Sequence, residues 1–379
     1  LELFENIFPL KDGVSYNSYL LMDEKTVLFD AADYAVGRQF LENVQAVLNG
    51  RLDYLVVNHM EPDHCAMIGE LVLRYPDMQI IGNAKTFPMI DQFFDFDLEG
   101  KKIIVKEGDT FSSGKHVLHF VMAPMVHWPE VMMTYDETDK VLFSADAFGT
   151  FKALNGNIFN DEIDFDRDWL DEARRYYTNI VGKYGMQVQN VLKKASSLDI
   201  RIICPLHGPI WRTNLNYMIG KYDIWSKYEP EEKGVMIAYA SMYGNTENMV
   251  DTFALMLAEE GVKDIRIHNI SKTHVSELIA DSFKYSHIVL AAPTYNNGLY
   301  PLMDNYLEDM KALALQNRTV ALLGNGSWAP QAAKLMTTKI SDMKNMTLLE
   351  GGVTIKSSLK DSQMEELKSL SRQIAAEVL

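Results

Sequence analysis

From residue 234 to the carboxyl end, short apolar runs alternate with amphipathic stretches of helical length. Residues 234–240, 264–269, 286–292 and 318–323 read as strands, and residues 246–260, 274–282, 302–314 and 361–378 as helices. Parallel strands need long crossover connections, and crossover helices must cover the faces of the sheet they join. The alternation therefore predicts an α/β doubly wound parallel sheet. Such sheets bind ligands beyond the carboxyl ends of their strands.

The segment Lys227-Tyr228-Glu229-Pro230-Glu231-Glu232-Lys233 is charged and holds a proline. It reads as an interdomain linker, dividing the chain into domains 1–229 and 230–379. In the first domain, residues 15–22 and 26–31 read as a hairpin about Asp23-Glu24-Lys25, and residues 54–57 as a short buried strand. Further strands are expected at 79–82, 102–106, 116–122, 131–135 and 141–145, with helices at 66–74, 167–182, 186–196 and 214–226. Mixed elements of this kind predict an α+β arrangement of layered sheets covered by helices.

Composition narrows the partners. A formal net charge of -16, with no run of five Lys or Arg, argues against nucleic acid and anionic membranes. No apolar stretch approaches the ~20 residues of a membrane span, and no signal peptide is visible. Two cysteines without a C-x-x-C rule out a disulfide framework. The expected location is a reducing cytoplasm.

The chemistry begins where strand 54–57 ends. Asn58-His59-Met60-Glu61-Pro62-Asp63-His64 places four ligand-type residues within one short turn. In extended chain His59 and Glu61 point the same way. Pro62 then turns the backbone, so Asp63 and His64 face a second point, and a dinuclear site is the natural outcome. Three further segments end a short apolar run on a ligand type: 120–127 at His127, 141–146 at Asp146, and 201–208 near His207. Four histidines and three carboxylates suffice for two metals if one carboxylate bridges. Glu61 stands where a histidine would complete an H-x-H-x-D-H pattern. Hard anionic ligands favour iron over zinc. Each residue alone has an ordinary explanation: an Asp-His pair at a helix start is a cap, and His207 before a glycine is a loop residue. Their joint occurrence at successive strand ends is not explained that way. His116, His119, His268, His274 and His287 lack such company and read as structural or exposed. Cys65 and Cys204 read as packing.

A second constellation follows strand 234–240. Ser241-Met242-Tyr243-Gly244-Asn245-Thr246 leads into a helix, so backbone N–H groups at its start, with the Ser, Asn and Thr side chains, can cradle an anion. There is no Gly-Lys-Ser/Thr and no G-x-G-x-x-G, so a monophosphate such as that of FMN fits best. Pro293-Thr294-Tyr295-Asn296-Asn297-Gly298 and Gly324-Asn325-Gly326-Ser327-Trp328 follow the next strand ends. Tyr295 or Trp328 can stack on a planar ring. The plainer reading is that both are Gly/Asn turns with half-buried aromatics.

Taken together, these residues resemble the flavodiiron proteins, or A-type flavoproteins, which include rubredoxin:oxygen oxidoreductases and nitric oxide reductases. The resemblance spans both domains in order. It implies a metallo-β-lactamase-like αββα sandwich followed by a flavodoxin-like FMN domain. The family's diiron pattern is matched by His59, Glu61, Asp63, His64, His127, Asp146 and His207. By that resemblance one iron takes His59, Glu61 and His127, the other takes Asp63, His64 and His207, and Asp146 bridges them beside an oxo or hydroxo group. The FMN loops match through Ser241 to Thr246, Pro293 to Gly298, and Asn325, Gly326, Ser327 and Trp328; Gly326 stands where the family often has an aromatic. The implied activity is reduction of O2 to water or NO to N2O. The implied partners are rubredoxin, or coenzyme F420, as a separate donor, and a second copy in a head-to-tail homodimer or dimer of dimers. A dizinc hydrolase and a pure electron carrier are the rivals. Glu61 argues against the first, the complete ligand set against the second.

Overall fold

The structure is a computed structural model and describes residues 2–48 and 50–379. The chain divides into two units, Leu1–Tyr177 with Tyr184–Asp223, and Thr178–Lys183 with Ile224–Leu379.

Two five-stranded sheets form the first unit. One holds β1 (Tyr19–Met22), β2 (Thr26–Phe29), β3 (Tyr54–Val56), β4 (Gln79–Asn83) and β5 (Lys102–Val105) side by side in chain order. β1 and β2 are the antiparallel hairpin, and β2 to β5 run parallel. The other holds β6 (Thr110–Ser112), β7 (Val117–Met122), β8 (Met132–Asp136), β9 (Val141–Phe143) and β10 (Ile202–Cys204). β10 joins β9 in parallel; the remaining pairs are antiparallel.

Alternation along the strands decides what meets. Val27, Phe29, Val56, Ile81 and Val105 pack against Leu118, Phe120, Met132, Phe143 and Cys204 of the second sheet. Phe29 and Phe143 stack with ring centroids 3.8 Å apart. The opposite face of the first sheet, with Leu28, Leu55 and Ile80, is covered by helices Gly37–Val47, Ile68–Arg74 and Thr86–Phe93. Met133, Tyr135, Leu142 and Ile203, on the outer face of the second sheet, are buried too. There the Tyr135 hydroxyl donates to the carbonyl of Asp199, just past helix Gly185–Ala195. The four layers are the expected αββα sandwich.

Local details differ from the sequence expectation. The stretch read as one helix over 167–182 is instead Phe165–Asp168, Leu170–Tyr176 and a wider π turn at Tyr177–Val181. Trp169 at the first junction has φ -131°, outside the helical range. A one-turn helix, Pro62–Cys65, stands apart from Ile68–Arg74.

The second unit is one parallel sheet of β11 (Glu232–Tyr239), β12 (Ile265–Asn269), β13 (Tyr285–Tyr295), β14 (Thr319–Asn325), β15 (Thr347–Leu348) and β16 (Val353–Ile355). Its order is β12-β11-β13-β14, with β15 and β16 both on the far edge of β14. That is the 2-1-3-4-5 order of flavodoxin-like sheets. Met236, Leu290 and Leu322 face helices Val275–Lys284, Pro301–Ala312 and Ala332–Ser341, the last not foreseen. Val235, Val289 and Leu323 face helices Asn245–Glu259 and Met364–Val378. Strands buried on both faces are nearly continuous apolar runs, as β11 and β13 are. Tyr228 is buried in this unit, its hydroxyl donating to the Gly182 carbonyl at 2.8 Å. Among the described residues no helix is long and apolar enough to cross a membrane.

Candidate metal centre and flavin pocket

β3, β7, β9 and β10 each end a few residues before a ligand-type side chain. The turn after β3 is pinned by Asp30. Its Oδ1 accepts from the backbone N–H groups of Asn58 (2.7 Å) and His59 (3.1 Å), and its Oδ2 from Asn58 Nδ2 (2.8 Å). Met125 (φ +65°) and Ala145 (φ +52°) hold left-handed backbone just before His127 and Asp146. Such strain persists where surrounding structure over-determines it, commonly at functional sites.

All seven sequence-predicted ligands converge. His59, Glu61, His127 and Asp146 form one group, and Asp63, His64 and His207 a second. In the first, Glu61 Oε2 lies 3.2 Å from His59 Nε2 and 3.0 Å from His127 Nε2. Asp146 Oδ2 lies 3.1 Å from His127 Nε2, while its Oδ1 lies 3.1 Å from His64 Nε2. In the second, Asp63 Oδ2 lies 3.2 Å from His64 Nε2 and 3.3 Å from His207 Nε2. Donor atoms about 3 Å apart are what bonds of roughly 2 Å to a shared ion produce. His64 Nε2 and His207 Nε2 point at each other across 3.1 Å, an arrangement a common cation explains.

The donor set fits such a cation on two further grounds. Among the described residues, Asp63 Oδ1 and Oδ2, Asp146 Oδ1 and His64 Nδ1 are buried without a hydrogen-bond partner, a costly state unless an ion satisfies them. The charges also demand compensation. Burial opposes protonation of the imidazoles, yet Asp63 and Asp146 lift His64 to about 10. Burial is likewise outweighed at His127, which Asp146 and Glu61 raise to about 9. Against burial, the imidazoles around it hold Asp146 well below the usual carboxylate range. Without a metal, the carboxylates draw protons onto the imidazoles; a metal would take their place. His59, His64 and His207 are fully buried, whereas Glu61, Asp63 and His127 keep 7–8% exposure, so the approach lies on their side.

The remaining histidines have other partners. His116 pairs with Asp23 (3.0 Å) and Asp139 (3.2 Å), His268 with Asp281 (2.6 Å) and His287 with Glu377 (3.0 Å). His119 pairs with Glu137, and His274 caps a helix by accepting from Ser276 N–H. Burial pushes the thiol of Cys65 up to about 12, and that of Cys204 likewise, so both stay protonated.

A cavity of ≈ 260 Å³ opens at the carboxyl ends of β11, β13 and β14, where strand order reverses. Ser241, Met242, Tyr243, Asn245, Thr246, Pro293, Thr294, Asn296, Asn297, Asn325, Gly326, Ser327 and Trp328 line it. Gly244 serves from behind: its φ of +87° makes the turn into helix Asn245–Glu259. Ser241 Oγ accepts from Gly244 N–H (3.1 Å) and Glu247 N–H (3.3 Å), the same donors an anion would use. Tyr295 and Gly298 pair with each other in a short antiparallel ladder, and the Tyr295 ring meets Tyr300. Neither lines the cavity. Trp328 and Tyr243 are 78% and 90% exposed at its rim, surface that a planar ring would cover. Gly326 has no room for a side chain: a Cβ would lie 2.7 Å from Pro330 Cα.

Comparison with known proteins gives two family matches, an ODP family beta lactamase over residues 14–208 and a flavodoxin over residues 237–369. The anaerobic nitric oxide reductase flavorubredoxin of Klebsiella pneumoniae is 32% identical over 336 residues, 87% of this chain and 69% of that protein. The chain belongs to the flavodiiron protein family. Rubredoxin oxygen:oxidoreductase from Desulfovibrio gigas superposes with a TM-score of 0.90 at 28% identity, covering 99% of this chain and 93% of that one. The flavodiiron protein from Giardia intestinalis gives 0.94 at 25% identity, covering 100% and 92%.

Several residues at the sites of this flavodiiron protein are not singled out by the sequence patterns. Ala329 and Ser357 also line the cavity, and Ser357 ties to Asn325 through its N–H (3.1 Å) and to Ser327 through its hydroxyl (2.9 Å). Glu5 sits at the tip of the Leu3–Phe4/Phe8–Pro9 hairpin, where desolvation, and after it the neighbouring Glu61 carboxylate, push its carboxyl up to about 8. Asp30 and Glu130 brace His59. An acid just after the His127-Trp128-Pro129 run was the one available hint to Glu130.

Proposed function

We propose that this flavodiiron protein uses FMN and a non-haem diiron pair to reduce O2 to water, NO to N2O, or both. His59, Glu61 and His127 would hold one iron, Asp63, His64 and His207 the other, with Asp146 bridging. What carries the reading is Asp146, whose two oxygens face the two imidazole groups separately. When bound, the flavin supplies electrons one at a time and the irons supply redox-active open positions for a diatomic gas.

The chain's own groups do the rest. Three buried carboxylates offset part of the metals' positive charge, and the buried histidine walls keep bulk water from all but one side. In the second unit, the N–H groups at the start of helix Asn245–Glu259, with Ser241, Asn245 and Thr246, would hold the phosphate. Trp328 and Tyr243, exposed at the rim of the cavity, would offer their rings to the flavin. A rubredoxin-like carrier is the proposed donor, supported by the rubredoxin named in the Desulfovibrio gigas relative; reduced coenzyme F420 is the other donor. The family resemblance supports a head-to-tail homodimer or dimer of dimers. Two free, buried cysteines support a cytoplasmic setting.

The test is anaerobic stopped-flow of the reduced protein against O2 and NO, with iron and FMN counted in the same sample. Rapid flavin reoxidation by at least one gas is expected, slowed at least about 100-fold in Asp146→Ala, the scale seen when groups that act together are broken. Equal rates in wild type and variant would rule the diiron route out.

A further inference from the structure

Building on the diiron reading, we propose that Glu130 is a positioning residue that makes the two irons unequal. It fixes the ring of His59 and sets a full negative charge behind one iron only.

His59 faces the centre with Nε2, 3.2 Å from Glu61 Oε2 and 3.4 Å from Asp146 Oδ2. Its other nitrogen, Nδ1, lies 2.8 Å from Glu130 Oε1. A carboxylate opposite Nδ1 keeps the proton there, leaving the Nε2 lone pair for metal. The same Oε1 accepts from Met60 N–H at 2.8 Å, so two donors on the ligand turn fix it. Asn83 Nδ2 holds the Glu130 backbone through its carbonyl at 2.5 Å. The Glu130 side chain is fully buried, and among the described residues its Oε2 has no hydrogen-bond partner. Among the described residues, the donors from other residues to this carboxylate, His59 and Met60, both meet Oε1.

The other imidazoles are braced differently. His207 Nδ1 donates to the Ser15 carbonyl at 2.7 Å, a neutral acceptor, and His64 Nδ1 has no hydrogen-bond partner among the described residues. Among the described residues, His59 is the one ligand imidazole whose Nδ1 meets a carboxylate. Direct ligation would be balanced, with Glu61 on one side, Asp63 on the other and the two oxygens of Asp146 reaching both groups. The asymmetry therefore comes from behind His59. An anion there raises the ligand's basicity and favours the oxidised state of that iron, lowering its reduction potential relative to its neighbour's.

Wild type, Glu130→Gln and Glu130→Ala, each with FMN bound, are loaded anaerobically with ferrous iron. Iron affinity is read by chelator competition, and the two one-electron potentials by redox titration followed with electron paramagnetic resonance. Gln keeps the acceptor oxygen and removes the charge, so two irons stay bound and one potential moves positive while the other holds. Ala removes the acceptor, so one iron of the two weakens about 10- to 100-fold. A purely structural Glu130 would leave both potentials in place in an iron-replete Gln variant. Unchanged potentials in Glu130→Gln, loss of both irons from it, or equal weakening of both irons in Glu130→Ala would each overturn the proposal. Wild type that takes up no iron would sink the diiron reading itself, a result visible before any variant is compared.

Discussion

Gly208 follows the proposed ligand His207 with φ +75°, and a Cβ there would lie 2.0 Å from Thr150 Cγ2. Thr150 is buried and cannot retreat. Gly208→Ala should therefore cost about 1–3 kcal/mol through backbone strain and overpacking. Because the strain lands one residue from a ligand, bound metal should fall as well; denaturant unfolding of the metal-free protein and metal content read the two effects. A variant as stable as wild type would refute the steric account. The ligands make a pH prediction. Against burial, neighbouring carboxylates raise His64 to about 10 and His127 to about 9, above the ordinary 6.5. A raised histidine stabilises the metal-free fold fully below its unfolded value, and that contribution is lost as pH rises through the folded value. Metal must displace those protons, so its apparent affinity should climb from about pH 7 to about pH 9, roughly tenfold per unit for each proton released. Chelator competition with no slope over that range would mean the imidazoles are already unprotonated.

Among the elements, β14 depends on the residue before it. Arg318 is buried at 1% exposure and donates to the carbonyls of Ser282 (2.9 Å), Phe283 (2.7 Å), Gln316 (2.9 Å) and Tyr228 (2.7 Å). Burial lowers its guanidinium to about 9, with Glu231 opposing. Arg318→Met fills similar space but withdraws those donors, so the second unit should lose about 3 kcal/mol or more. Circular dichroism with flavin retention against denaturant measures it; a loss below about 1 kcal/mol would show that water replaces the guanidinium. At this scale the sequence is informative where one pattern repeats. Strands 234–240 and 286–292 announce β11 and β13 because parallel strands are apolar throughout. Helix Ala332–Ser341 was not foreseen: Thr337 and Thr338 are weak helix formers, and the helix starts under Thr294 Oγ1, which accepts from Gln331 and Ala332 N–H across the sequence. The break at Trp169 leaves no proline or glycine to announce it. The residues that converge on the candidate metal centre were visible because they cluster after β3 and recur at strand ends. Asp30, Glu130 and Ser357 were not, since a lone buried acid or serine becomes meaningful only once another segment is folded against it.

At the scale of the whole molecule, each unit carries its own core and its own ligand pocket. The first unit's core lies between and outside its two sheets, the second's on both faces of one sheet. The proposed metal ligands all belong to the first unit and the residues of the proposed flavin pocket all to the second. A ligand stabilises the state that binds it by RT ln(1 + [L]/Kd), about 2.7 kcal/mol at 100 times Kd. FMN should therefore raise the unfolding transition of the second unit, and metal that of the first, with each leaving the other's midpoint nearly in place. Calorimetry of the protein stripped of both groups, then reloaded with one at a time, makes the comparison. Activity should follow the opposite rule. Protein loaded with FMN alone should be reducible yet reoxidise slowly, and protein loaded with iron alone should take electrons poorly from a carrier. If FMN alone shifted both transitions by the same amount, the units would unfold as a single cooperative block. Separate cores would then not mean separate stabilities, and loss of either group would endanger both sites.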